Sequence, residues 1–133
     1  MTSPSVVHAK SVPVIPGYYS GVGDLFSALL LGFYHADSSA HLHDMDTPLS
    51  YATSQALVKT HTILRQTYEY TQSLPEEECQ STDDEKDASD PHRRIRRMRA
   101  RELRLVQSQD LLKDTKLDDM RRLEPWVGFW VQA

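Results

Sequence analysis

A glycine turn between two apolar runs constrains this chain more than any other feature. Ser20-Gly21-Val22-Gly23-Asp24-Leu25-Phe26 follows Val12-Pro13-Val14-Ile15-Pro16-Gly17-Tyr18-Tyr19 and precedes Ser27-Ala28-Leu29-Leu30-Leu31-Gly32-Phe33. An extended stretch enters the turn, and an apolar helix leaves it. Backbone amides at such a helix start can hold an anion, and a carboxylate beside them can serve as a base. Phosphoryl transfer to an alcohol needs both parts.

The remaining composition sets bounds. The chain has 133 residues, about one domain, with 39% hydrophobic and 26% charged residues. A net charge of -4 gives no global pull toward nucleic acid or an anionic membrane. Cys79 is the single cysteine, so an intrachain disulfide is excluded, and its acidic surroundings suit a reducing compartment. The first ten residues lack the basic and apolar regions of a signal peptide. Leu25 to Tyr34 is too short an apolar block to span a bilayer. The expectation is a cytoplasmic protein, with a nuclear location also open, and no membrane partner.

Three regions follow from the patterning: 1–72, 73–92 and 93–133. In the first, Val6 to Val14 reads as an edge strand cut short by Pro13 and Pro16. A first helix is expected from Gly23-Asp24 to about His35, buried because nearly every position is apolar. A second should start at Thr47-Pro48 and run to about Gln72, with Leu49, Ala52, Ala56, Val58, Ile63 and Leu64 facing inward. Pro75 to Asp90 carries eight acidic residues and one lysine, and reads as a loosely ordered insertion. His92 to Arg104 carries seven arginines. Glu102 to Gln107 alternates and reads as a strand. The apolar tail, Pro125 to Val131, should cover a neighbouring surface.

The run Ile15 to Gly32 resembles the C-terminal signature of pyridoxal kinases, members of the ribokinase-like superfamily. Glu102-Leu103-Arg104-Leu105-Val106-Gln107-Ser108 is similar to the strand that closes that family's sheet, and Ser54 to Thr67 fits the intervening helix. The resemblance covers most of residues 12 to 112. It implies an α/β fold, the incomplete C-terminal portion of a doubly wound sheet. It also implies ATP-dependent phosphorylation of pyridoxal, pyridoxine or pyridoxamine, with magnesium. Gly21, Val22 and Gly23 would form the anion hole and Asp24 the base. Ile15, Pro16 and Tyr19 would flank the adenine. The family's usual homodimer is a further implication.

Two departures stand out. Val22 occupies a position that is often threonine in the family, which keeps the amide and loses a hydroxyl. The family's substantial N-terminal portion, with its pyridoxal pocket and the residues that hold magnesium, has no counterpart in this sequence. A non-catalytic fragment that binds nucleotide, or pairs with a homologue, is therefore an alternative to a kinase.

Other clusters have plainer readings. His35, His41 and His43 beside Asp37, Asp44 and Asp46 invite a metal, but such a loop is ordinarily solvated surface. The arginine block Arg93, Arg94, Arg96, Arg97, Arg99, Arg101 and Arg104 could grip nucleic acid. The acidic run before it offers compensating charge, and no aromatic is interleaved for base stacking, so nucleic acid is not an expected partner.

Overall fold

The computed structural model describes residues 5–35, 46–78, 82–117 and 121–131. The elements in chain order are β1 (His8–Ala9), α1 (Val22–Phe33), α2 (Pro48–Ser73), α3 (Asp84–Ser89), α4 (Pro91–Ala100), α5 (Gln109–Lys113) and β2 (Glu124–Pro125). Short 3-10 turns cover Val106–Ser108 and Phe129–Val131. Among the described residues, no helix is long and apolar enough to cross a membrane.

The axis of the structure is α2, 26 residues long. Its start is fixed by a reciprocal cap. The Ser50 amide donates to Thr47 Oγ1 at 3.0 Å, and the Thr47 amide donates to Ser50 Oγ at 2.8 Å. Pro48 supplies a first-turn residue already set at a helical φ. Ala52, Ala56 and Ile63 are buried as expected, Val58 and Leu64 are half-buried, and Leu49 is exposed.

A second, polar seam runs along α2. Thr67 Oγ1 accepts from the Arg104 amide at 3.1 Å, and Gln66 Oε1 accepts from Ser108 Oγ at 3.0 Å. Further toward the helix start, Lys59 Nζ donates to the carbonyls of Leu111 and Asp114. Gln55 Nε2 donates to the Thr115 carbonyl at 2.8 Å, and Ser54 Oγ accepts from the Leu123 amide at 2.9 Å. Residues 104–117 and 121–123 thus run along α2 in the opposite direction, with the amides of Arg104 and Leu123 and the carbonyls of Leu111, Asp114 and Thr115 satisfied by its side chains instead of by a neighbouring strand.

That arrangement corrects the expected strand at Glu102–Gln107. One parallel bridge joins Ser20 to Glu102, after which the Leu105 amide turns back to the Leu103 carbonyl at 2.8 Å. A strand persists only where a neighbour pairs with it. The same reason shortens the expected strand at Val6–Val14 to β1. It lies antiparallel to β2, with His8 opposite Pro125 and Ala9 opposite Glu124.

The helix α1 packs on α2 and matches its expected span within two residues at each end. It is not the buried helix its composition suggests. Leu29 is buried, but Leu31 is 78% exposed. A single partner helix covers one face of α1, and its apolar residues point in all directions.

The region expected to be loosely ordered contains α3, and the arginine block forms most of α4. Asp83 and Asp90 cap the two helices, accepting from the amides of Lys86 and His92 at 3.1 Å each. The helices are clamped together by charge. Asp87 receives both Arg93 and Arg97, and Asp90 receives Arg96 at 2.7 Å. The apolar tail packs within itself and on the first residues. Phe129 lies edge-on to Trp126 and Trp130, and Trp130 Nε1 donates to the Ser5 carbonyl at 2.7 Å.

Candidate anion hole and adjoining groove

Gly21 is the N-cap of α1 and adopts the left-handed conformation, φ 85° and ψ 8°. A side chain at that φ would be strained, so glycine is what lets the chain swing from the extended segment into the helix. The first helical residues, Val22, Gly23 and Asp24, present amides that no helical carbonyl can take. No side chain caps them. These donors and the helix dipole face the same way.

Asp24 is the third residue of α1 and is exposed. It makes no hydrogen bond or ion pair among the described residues. The depression beside it is lined by Ser20, Gly21, Asp24, Leu25, Ala28, Glu102, Leu103 and Leu105. Its far wall is held by the Ser20–Glu102 bridge and by the Ser20 amide, which donates to the Arg101 carbonyl at 3.3 Å. Glu102 thereby brings a second carboxylate to the same depression. Nothing in its sequence context marks it as a site residue, because its placement depends on this one long-range bridge.

Pro16 and Tyr19 line an adjoining groove with Tyr68, Arg97 and Arg101. Ile15 is half-buried and does not line it. Gly17, at φ 105°, makes the bend between Pro16 and Tyr19. The groove therefore joins aromatic faces from two segments with guanidinium groups from α4 and its end. The sequence reading placed no arginine there, since the contribution of Arg97 follows from its packing against α3.

Two other predicted clusters resolve differently. His41, His43, Asp37 and Asp44 lie outside the described residues. Asp46 is engaged by Arg122, their side chains 4% and 12% exposed. Among the described residues, no group of three or more His, Cys, Asp or Glu side chains could hold a metal ion. Of the arginines, Arg93, Arg96 and Arg97 are spent on the acidic segment, and Arg104 stacks 3.9 Å over the Tyr70 ring.

Comparison with known proteins gives one informative likeness. The chain is 33% identical over 113 residues to the Schizosaccharomyces pombe protein named "Putative pyridoxal kinase". The match covers 78% of this chain and 31% of that protein, so the chain spans about a third of the length of its relative. No family model matches the chain. No solved structure matches it. The likeness supports a pyridoxal-kinase-like relationship.

Proposed function

We propose that this chain carries the phosphoryl-transfer end of a pyridoxal-kinase-like enzyme, corresponding to the C-terminal part of a ribokinase-like α/β fold. The activity in this reading is ATP-dependent phosphorylation of pyridoxal, pyridoxine or pyridoxamine at the 5' hydroxyl, with magnesium accompanying the nucleotide. The observation that carries it is the left-handed Gly21 cap with the unpartnered Asp24 beside it at the start of α1. The likeness to a protein named for that activity supports it.

In this reading the amides of the Gly21–Gly23 turn receive the charge that develops on the transferred phosphoryl group. Asp24 takes the proton of the substrate hydroxyl as the new O–P bond forms and the bond from the γ-phosphorus to the bridging oxygen breaks, releasing ADP. An alcohol is too weak an acid to be deprotonated beforehand, so much of the contribution of Asp24 is orientation. The adenine would lie in the groove of Pro16, Tyr19 and Tyr68, where aromatic faces can stack on a base. Ile15 would act from behind this wall.

The exposed apolar face of α1 favours a second reading, a non-catalytic module that binds nucleotide or pairs with a homologous chain. Pyridoxal 5'-phosphate formation by the purified chain with ATP and magnesium separates the two. Product that disappears in Asp24→Asn supports the kinase. Nucleotide binding without product, in both forms, supports the module.

A further inference from the structure

A further cavity lies against α2, and it shares no lining residue with the depression at the glycine turn. Four basic side chains line it: Lys10 from the segment after β1, His61 and Arg65 from α2, and Arg121 from the segment before β2. Among the described residues, no carboxylate lines it. This concentration is notable in a chain of net charge -4. Like charges gathered around one cavity repel one another, a cost that a bound anion reverses.

The groups differ in how they are held. His61 Nε2 lies 3.2 Å from the Pro13 carbonyl, which can only accept, so the proton sits on Nε2 and the ring is fixed against the cavity wall. Arg65 reaches Glu69 only at 3.8 Å, with the two side chains 58% and 66% exposed, a contact too loose to hold its guanidinium. Arg121 makes no hydrogen bond or ion pair among the described residues. Val12 and Leu57 contribute apolar surface between the charged groups.

We infer that this cavity is a binding site for an organic phosphate, an ester whose phosphoryl group is held by Arg65 and Arg121 and whose apolar body rests on Val12 and Leu57. Guanidinium groups present paired donors that match phosphate oxygens, which favours phosphate over a halide ion. The site is separate from the glycine turn and does not depend on the kinase reading.

Titration of the full chain with phenyl phosphate at low salt, followed by backbone amide NMR, tests the inference. Saturable shifts in residues 10–13 and 57–65 are expected. Arg65→Gln and Arg121→Gln should each raise the Kd at least fivefold, and Arg94→Gln, which removes an arginine elsewhere, should leave it unchanged. Arg65 is a solvent-facing helix residue, so its variant remains informative if Arg121→Gln disturbs the fold. Inorganic phosphate should bind more weakly than the ester. Absence of saturable binding, shifts confined to residues 20–24, insensitivity to both cavity substitutions, or equal affinity for inorganic phosphate would each overturn the inference.

Discussion

Arg97 closes on Asp87 through two hydrogen bonds, Nη1 to Oδ1 at 3.1 Å and Nη2 to Oδ2 at 2.7 Å, while Arg93 takes the same Oδ1 at 2.7 Å. One carboxylate thus fastens α3 to α4. It also fixes the side chain that forms one wall of the tyrosine groove. The hydrogen bond from Arg97, aided by that from Arg93, holds the Asp87 carboxyl below its ordinary value of 3.8.

Asp87→Asn should therefore release α3. Amide exchange in residues 84–89 should accelerate while α2 stays protected. Acid should act in the same way, and the sign follows from the lowered value. Stabilisation by ionised Asp87 is complete above the ordinary carboxylate value of 3.8 and is lost as pH falls through the lower folded value. The α3–α4 pair should survive at pH 5 and loosen only below about pH 4, read by the same amide signals.

Arg122→Ala should be among the most damaging single substitutions. Arg122 and Asp46 form an ion pair between the chain's last segment and the entry to α2, and both side chains are nearly covered. Removing the cation breaks this nearly covered ion pair, at about 3 kcal/mol. A fall of that size in urea-unfolding free energy is expected, against less than 1 kcal/mol for exposed Arg94→Ala.

Gly21→Ala and Gly23→Ala should separate backbone strain from ligand approach. An added Cβ meets nothing within 4 Å at either position, but only Gly21 has a positive φ. Alanine at 21 should cost about 1 kcal/mol of stability. Alanine at 23 should stabilise α1 by about 0.5 kcal/mol. If the turn cradles a phosphoryl group, Gly23→Ala should nevertheless weaken ATP binding, because the new methyl occupies space the ligand needs. Unfolding curves and nucleotide titration check the pair.

Lys59 offers a test at the other end of the pH scale. It is buried, donates to two carbonyls at the end of α5, and sits 5.3 Å from the centre of the Phe33 ring. Burial lowers its pKa from the ordinary 10.5, and the nearby Asp114 carboxylate opposes that shift. The unfolded chain then binds the proton more readily, so stability should rise as pH increases from the lowered value toward 10.5. Lys59→Met should abolish this rise, and it should also free α5, whose carbonyls lose their donor. Urea unfolding between pH 7 and 10 reads the first effect, and amide exchange in 109–113 the second.

Much of the first half was legible because its signals are local. Thr47 and Pro48 mark a helix start in any context, and Gly21 to Asp24 announce a turn entering a helix. Asp90-Pro91 carries the same kind of start signal for α4, but the run of arginines behind it reads as solvated charge until Asp87 and Asp90 are brought against it. The seam along α2 was hidden for a related reason. Ser54, Gln55, Lys59 and Thr67 look like surface residues, and their burial comes with backbone supplied by Arg104, Leu111, Asp114, Thr115 and Leu123. Glu102 entered the candidate site only through its bridge to Ser20. The alternation of 102–107 spoke for a strand and said nothing about whether a neighbour would be there to pair with it.

The contact of Trp130 with Ser5 spans 125 positions and draws the two ends of the described chain together. During synthesis, the first residues leave the ribosome long before their partners exist. At ordinary translation rates they wait on the order of ten seconds. Helices α1 and α2 need only local contacts and can assemble meanwhile, whereas β1 must stay unpaired until β2 arrives. Over that interval His8 and Ala9 are an open edge, closed only once Glu124 and Pro125 have been made.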